Sequence, residues 1–114
     1  MKKLSPGEEL LALHIRAAKL PSPMREYQFC ERKWRFDFYF PSRRLGVEVD
    51  GGNAMAVISK NGKAVAIGRH TKADDYRKLN EAQILGYSVI RFTPAMVKSG
   101  EAVAVLEKWL QLSK

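Results

Sequence analysis

Residues 34–50, WRFDFYFPSRRLGVEVD, are the most informative part of the chain for its fold. Aromatic and β-branched residues fill both of its halves, and a proline, a serine and two arginines at positions 41–44 separate them. This pattern predicts two β-strands joined by a short turn. Because side chains alternate in direction along a strand, Glu48 and Asp50 are expected on one face and the valines beside them on the other.

Three carboxylates interrupt these apolar strands, namely Asp37, Glu48 and Asp50. A carboxylate in a strand otherwise suited to burial is costly unless something compensates it. If the strands pair as a hairpin, Asp37 lies across from the other two. Three acidic groups at one end of a sheet repel each other unless a cation lies between them, and hard oxygen ligands favour Mg²⁺ or Mn²⁺. The stretch therefore predicts a divalent-metal site.

A second interpretation of the same acids is that they are exposed strand residues paired with arginines. The candidate arginines are Arg35, Arg43 and Arg44. Asp50 has an alternative of its own, because the Asp-Gly pair that it opens is common in turns.

The length and composition of the chain indicate a globular domain, and its charge favours a polyanionic partner, although a merely basic soluble protein would carry the same charge. Its 114 residues suit a single domain, residues 1–114, and 46% apolar with 28% charged residues excludes a disordered composition. Twenty Lys and Arg against twelve Asp and Glu give 20 − 12 = +8. Such an excess favours association with polyanions, of which nucleic acid is the usual one.

The single cysteine, Cys30, excludes an intramolecular disulfide and a cysteine zinc site and indicates a reducing compartment. No apolar run approaches the length of a membrane span, and the N-terminus lacks a signal-peptide pattern. We therefore expect a cytoplasmic protein with no membrane partner.

A first helix is predicted to begin at residues 5–8, Ser-Pro-Gly-Glu, as a capping box, and to run to about Lys19. Pro21 and Pro23 end it. The capping role alone would suffice to explain Glu8. The spacing of apolar residues predicts a buried face made of Leu10, Leu13, Ala17 and Leu20.

The other elements follow from turn signals and periodicity. They are a strand over 25–30, a β-hairpin over about 54–67 around Asn61-Gly62, a helix over about 73–85 ending at Gly86, and a strand over 87–92. A final helical region begins at Pro94, breaks near 99–100 and resumes over 101–112. Its apolar stripe consists of Val103, Leu106, Trp109 and Leu110. The order predicts an α/β fold with a mixed sheet.

Short blocks in a fixed order carry a family resemblance; they are residues 5–8, 34–38, 47–52, 68–71, 75–82 and 85–93. Together they resemble the PD-(D/E)XK nuclease superfamily, and most closely the small very-short-patch-repair-like endonuclease domains of bacteria and their phages. The resemblance implies a restriction-endonuclease-like αβββαβ core, here with an inserted β-hairpin and a C-terminal helix.

The resemblance also implies a chemistry, which is Mg²⁺-dependent hydrolysis of DNA phosphodiester bonds by a metal-activated water, with Mn²⁺ as an alternative ion. Asp37 and Glu48 would hold the ion. Asp50 or a backbone carbonyl near Val49 would complete its shell, and Glu8 would stand beside it.

The chain departs from the superfamily pattern in its third strand, where Asp50 occupies the position of the usual catalytic lysine. Some relatives carry that lysine on the following helix, and Lys78 is the best candidate there. His70 would act as a general base or hydrogen-bond the phosphate. The alternative is that His70 is incidental, as a lone loop histidine often is.

Basic residues are assigned to the nucleic acid, namely Arg35, Lys60, Lys63, Arg69 and Lys72. The two hairpin lysines have an alternative role in blunting exposed strand edges. The expected partner is DNA in duplex, nicked or branched form, and a homodimer is the common symmetric solution for cleaving both strands. Two other functions stay open: a catalytically inactive nucleic-acid-binding module, and a phage accessory or interaction protein.

Overall fold

A computed structural model of the protein describes residues 5–49, 56–58, 64–66 and 72–111, with only the backbone described for 56–58, 64–66 and 72. The elements in chain order are α1 (Pro6–Ala17), β1 (Met24–Gln28), β2 (Arg35–Phe40), β3 (Leu45–Val49), β4 (Ala56–Ile58), β5 (Ala64–Ala66), α2 (Lys72–Ile84), β6 (Ser88–Phe92), α3 (Pro94–Lys98) and α4 (Glu101–Gln111). The predicted α/β class and αβββαβ order are confirmed.

The main sheet has four strands in the order β1-β2-β3-β6. The first two neighbouring pairs are antiparallel and β3 pairs with β6 in parallel, so the predicted mixed sheet is confirmed. Strands β4 and β5 form a separate antiparallel pair, as expected of the inserted hairpin. Its predicted Asn61-Gly62 turn lies outside the described residues.

The hairpin of β2 and β3 turns through a short 3-10 segment over residues 41–43 and through Arg44, whose φ is +47°. Its paired residues are Phe40 with Leu45, Tyr39 with Gly46 and Phe38 with Val47. The next residues along the two strands are Asp37 and Glu48, so the turn sets these two acids side by side at the far end.

Helices and aromatic side chains cover different faces of the sheet. On one face the buried side chains of α1, α3 and α4 pack against β2 and β3 in a cluster that includes Leu11, Ile15, Phe38, Val47 and Leu106. On the other face an aromatic cluster holds Phe29, Phe36, Tyr39 and Tyr87 with Ala82 of α2. Two separate apolar clusters therefore hold the sheet.

The predicted buried face of α1 is wrong in two positions. Leu13 is 51% exposed and Ala17 is also exposed, whereas Leu11, Ala12 and Ile15 are buried. The fourth buried residue on this face is Glu8, which lies three or four positions before Leu11 and Ala12. Because a hydrophobic pattern cannot include a buried carboxylate, the periodicity favoured the neighbouring face.

The N-terminus of α1 comes close to the end of β3. A Cβ atom built on Gly7 would lie 3.0 Å from Val49 Cγ1, so the absence of a side chain at Gly7 permits this approach. Ser5 caps the helix by accepting a hydrogen bond from the Glu8 N–H at 3.2 Å. The first turn of α1 therefore delivers Glu8 to the strand ends. None of the helices in the described ranges is long and apolar enough to cross a bilayer.

Candidate functional site

Three carboxylates from three different elements meet at the end of the sheet. They belong to Glu8 of α1, Glu26 of β1 and Asp37 of β2, and one oxygen of each lies within 4.8 Å of the others. Glu8 is buried, and the other two are partly buried. We call these three residues the acidic triad.

Glu26 and Asp37 come together where the regular alternation of side chains along β1 and β2 is interrupted. Arg25 pairs with Phe38 and Tyr27 with Phe36, which leaves Glu26 and Asp37 between these pairs. Residues two apart on a regular strand share a face, yet Phe36 and Phe38 belong to different clusters.

The backbone of Glu26 shows where the irregularity lies. Its φ is +51°, a left-handed conformation that is unfavourable for a residue with a side chain and rare within strands. Such strained residues persist only where the surrounding structure holds them, and they concentrate at functional sites. The strain at Glu26 therefore marks this end of the sheet as a candidate site.

Asp37 is the central residue of the site. Its Oδ2 accepts a hydrogen bond from the Val49 N–H at 2.8 Å, so the side chain takes a donor that a regular β2–β3 ladder would use. Burial raises the pKa of the Asp37 carboxyl, and the negative charges of Glu48 and Glu26 raise it further. The Val49 N–H and the Lys78 charge oppose that rise in the pKa of Asp37. The site thus favours a proton, or another cation, on this carboxylate.

Glu48 and Lys78 form an ion pair beside Asp37. Lys78 Nζ of α2 lies 2.8 Å from Glu48 Oε2, and both side chains are largely shielded from solvent. A cavity of about 10 Å³ adjoins the pair and is also lined by Asp75 and Arg91. This volume matches a single water molecule.

Glu8 has contacts on two sides. Its Oε1 lies 3.5 Å from the Ser5 hydroxyl, and its Oε2 lies 4.0 Å from a guanidinium nitrogen of Arg25. The Arg25 guanidinium also lies over the Phe38 ring, 4.4 Å from its centroid. Arg25 therefore places a fixed positive charge at the border of the acidic triad.

The predicted site residues fall into four sets. Asp37 and Glu8 lie in the acidic triad, Glu48 and Lys78 form the adjacent ion pair, and Arg35 is exposed at the start of β2. The rest cannot be placed because they lie outside the described residues; they are Asp50, Lys60, Lys63, Arg69, His70 and the side chain of Lys72.

Glu26 was missed by sequence reasoning. In the segment Arg-Glu-Tyr-Gln a glutamate suits the solvated side of an edge strand, so nothing in its setting suggests a buried site. The available signal was its register. If β1 pairs with β2 so that Tyr27 faces Phe36, Glu26 must stand opposite Asp37, and two facing carboxylates require a compensating charge.

The alternative that arginines of the hairpin turn neutralise Asp37 or Glu48 is wrong for Arg43 and Arg44. Arg43 donates to the Trp109 carbonyl at 3.0 Å. Arg44 donates to the carbonyls of Leu85 at 2.7 Å and Gly86 at 3.3 Å. Within the described residues, no ion pair or hydrogen bond joins Arg35 to either acid.

The donor set of the acidic triad fits a hard divalent ion. Mg²⁺ takes oxygen ligands at about 2.0–2.1 Å, so opposite ligands of one ion stand about 4 Å apart. Three carboxylate oxygens within 4.8 Å of one another need only small movements to meet that requirement. The raised pKa of Asp37 agrees with a site that favours added positive charge.

The fold is similar to that of a solved nuclease domain. The catalytic domain of the homing endonuclease I-Bth0305I superposes with a TM-score of 0.61 at 15% sequence identity, over 97% of this chain and 94% of that chain. No family model and no curated protein matches the sequence. The four-stranded mixed sheet and its helices are therefore a nuclease-like fold, and at this identity the likeness concerns the fold alone.

Proposed function

We propose that this protein is a divalent-metal-dependent DNA endonuclease of the PD-(D/E)XK superfamily. The observation that carries the proposal is the acidic triad at the end of the sheet, next to the Glu48–Lys78 pair. A net charge of +8 around such an acidic centre suits a polyanionic substrate. The likeness of the fold to a homing endonuclease catalytic domain supports the same class of reaction.

The proposed ion is Mg²⁺, with Mn²⁺ as the alternative, and Asp37 is its central ligand. Glu48 of β3 and Asp50, two residues further along the chain, are its proposed partners, and the acidic triad adds Glu8 and Glu26 as further oxygen donors. A divalent ion at this position would polarise the phosphate and lower the pKa of a bound water, supplying a nucleophile near neutral pH.

Lys78 is the proposed cationic group at the scissile phosphate. Its ammonium has three N–H donors, so it can keep Glu48 in place and still donate to a phosphate oxygen. A fixed positive charge that opposes the charge developing on the phosphate lowers the barrier to hydrolysis. The pair therefore holds Lys78 in readiness for this role. His70 is the proposed general base or phosphate hydrogen-bond donor.

The proposed substrate is DNA in the cytoplasm, in duplex, nicked or branched form. Arg35, Arg69 and the lysines of the inserted hairpin are the proposed backbone contacts, with Lys72 at the start of α2. Cleavage of both strands needs two sites, which a homodimer would supply, and a monomer would nick one strand.

A plasmid-nicking assay with and without Mg²⁺ or Mn²⁺ tests the proposal. We expect wild-type protein to nick supercoiled DNA only with metal, and Asp37→Asn and Glu48→Gln to lower the rate by about 100-fold or more. The matched control is Glu31→Gln, which removes one exposed carboxylate that does not belong to the acidic triad and is expected to leave the rate unchanged. Cleavage that persists in EDTA, or in both site variants, would contradict the proposal.

The second candidate is a nucleic-acid-binding module that has lost the chemistry. It is favoured by one feature, the absence of lysine after Glu48 in the third strand. Salt-sensitive DNA binding with no metal-stimulated cleavage would support this candidate. Absence of DNA binding as well would support an accessory or interaction protein instead.

A further inference from the structure

A pocket of about 330 Å³ opens beside the acidic triad, between α1 and the chain that leads into β1. We call it the α1 pocket. Apolar side chains of Ile15, Leu20 and Phe38 form part of its wall, and Arg16, Ser22 and Arg25 supply polar groups. Its volume lies at the small end of the range of ligand pockets, about 300–1,000 Å³. An apolar wall with two guanidinium groups suits a ligand that has both a flat apolar part and a negative charge.

The wall of the α1 pocket is held by the way α1 ends. Lys19 adopts a φ of +58°, and its N–H donates to the Arg16 carbonyl at 3.0 Å. The Leu20 N–H donates to the Ile15 carbonyl at 3.2 Å. These two bonds form a Schellman motif, which fixes Leu20 against Ile15 and ends the helix abruptly. The pocket therefore exists before a ligand binds.

Arg25 belongs to the pocket and to the border of the acidic triad at once. It lines the pocket, lies over Phe38, and approaches Glu8 to 4.0 Å. A guanidinium group has five N–H donors in a rigid fork, so contact with a carboxylate leaves donors for a second anion. Charge in the α1 pocket and charge at the acidic triad are thus linked through one side chain.

We propose that the α1 pocket takes one unpaired nucleotide of the cleaved strand, next to the phosphate at the acidic triad. The base packs against Leu20 and Pro23, the partly exposed apolar side chains of the wall, and the nucleotide's phosphate is held by Arg16 and Arg25. This inference rests on the proposed endonuclease function. It identifies the substrate class as DNA with an unpaired nucleotide at the cleavage position.

The preference for an unpaired nucleotide has an energetic reason. A paired nucleotide must leave its stack and lose its base pair before it can enter the pocket, and this costs free energy. A nucleotide that is already unpaired avoids that cost. We therefore expect the protein to bind a duplex containing a single-nucleotide bulge more tightly than the same duplex when it is fully paired.

Fluorescence anisotropy with two labelled short duplexes, one bulged and one paired, measures this preference in EDTA, where the proposed cleavage is suppressed. We expect wild-type protein to prefer the bulged duplex by about tenfold or more. The variant Arg16→Ala removes a phosphate contact, and Ser22→Ile fills space from an exposed position. Both are expected to lower the preference to about threefold or less, with nearly unchanged affinity for the paired duplex.

Arg77→Ala is the matched control, because it removes an equally positive, exposed side chain of α2 that does not line the pocket. It is expected to keep the full preference. Equal binding of both duplexes by wild-type protein, or an undiminished preference in both pocket variants, would overturn the pocket assignment alone, since metal-dependent nicking of plasmid could still occur. Failure to bind either duplex would overturn the pocket and the proposed function together.

Discussion

The two ends of the β2–β3 hairpin treat charge in opposite ways. At the turn end, Arg43 and Arg44 donate to backbone carbonyls of Trp109, Leu85 and Gly86. At the other end, the carboxylates of Asp37 and its neighbours face one another. At the turn end both arginines therefore meet carbonyl acceptors, whereas at the other end negative charges lie close together.

Both ends contain a residue with a side chain in the left-handed region, Arg44 with φ of +47° and Glu26 with φ of +51°. At the turn end the strained residue gains two carbonyl acceptors and a stacking contact over Tyr87, 4.4 Å from the ring centroid. The same kind of backbone strain therefore has a different result at each end of the hairpin. The left-handed backbone of Arg44 allows its side chain to join β3 to the end of α2. The left-handed backbone of Glu26 brings its carboxylate into the acidic triad.

Helix dipoles explain why the turn end is the stabilising one. Leu85 and Gly86 come directly after the last residue of α2, and Trp109 lies in the last turn of α4, so both arginines stand at helix C-termini, where the partial charge is negative. Arginines placed there neutralise partial charges that helices always leave. Arg25 and Lys78 stand near the acidic triad, but three carboxylates still meet there, and burial, together with the charges of Glu48 and Glu26, raises the pKa of Asp37. The turn end therefore favours stability, and the acidic end favours cation binding.

The largest effect is expected at the acidic end, on activity. Lys78→Met removes the cation beside Glu48, and we expect the cleavage rate to fall by about 100-fold or more, since one electrostatic donor at a phosphoryl centre is worth that much. Single-turnover cleavage of supercoiled DNA measures it. Lys98→Met, on an exposed position of α3, is the control for loss of one positive charge. A rate within threefold of wild type would remove Lys78 from the proposed chemistry.

The next effect is expected at the turn end, on stability. Arg44→Ala loses two hydrogen bonds and a ring contact, and because the side chain is exposed we expect a loss of about 1–2 kcal/mol in the free energy of unfolding. Urea denaturation followed by circular dichroism measures it. Arg77→Ala, whose exposed partner is Asp74 in the preceding turn, should stay within about 0.5 kcal/mol of wild type. Similar values for both variants would show that the turn end is not specially stabilising.

The hairpin itself was largely predictable from the sequence, and the acidic triad was not. Alternating aromatic and β-branched residues specify β2 and β3, and the break at 41–44 specifies their turn, because each signal is local. Asp37 and Glu48 could be singled out as carboxylates in apolar strands. The turn arginines were less predictable, since their carbonyl acceptors on Leu85 and Trp109 depend on how distant helices end.

Glu8 and Glu26 show where sequence reasoning stops. Glu8 has a sufficient local explanation as a residue of a helix first turn, whereas its burial depends on the close approach of α1 to Val49, which Gly7 permits. Glu26 joins the site through a backbone angle and a strand register that no local pattern encodes. Both residues depend on tertiary packing, so they became visible only once the three elements were placed together.

A smaller effect is expected from Asp37→Asn on stability in EDTA. Asparagine keeps an oxygen that can accept from the Val49 N–H and removes a charge that repels Glu26 and Glu48. We expect the free energy of unfolding at pH 7 to rise by about 0.5–1 kcal/mol, the usual gain from relieving an unfavourable charge. Thermal and urea denaturation measure it. A loss of stability would contradict the assignment of Asp37 as a repelled carboxylate.

The pH dependence of the stability of Asp37→Asn tests the direction of the pKa shift of Asp37 independently. Because the pKa of Asp37 is higher in the folded chain than in the unfolded chain, the folded state binds more protons between those two values. The contribution of Asp37 to the stability of the wild type therefore falls as the pH rises from 3.8, its ordinary pKa, through the raised folded pKa of Asp37. The gain in the free energy of unfolding from Asp37→Asn should be small at the acid end of that pH range and should reach its full size above it. A gain that shrinks with rising pH would reverse the assigned direction of the pKa of Asp37.

A last and equally small effect separates backbone strain from charge at the acidic end. Glycine tolerates positive φ, so Glu26→Gly and Lys19→Gly should each raise the free energy of unfolding in EDTA by about 0.5–1 kcal/mol. Only Glu26→Gly also removes a carboxylate of the acidic triad, and so only this variant should show a smaller increase in melting temperature when Mg²⁺ is added. An equal response to Mg²⁺ in both variants would mean that the strain at Glu26 is not maintained for binding a cation. The two ends of the hairpin would then differ in charge, but the backbone strain at the acidic end would have no part in cation binding.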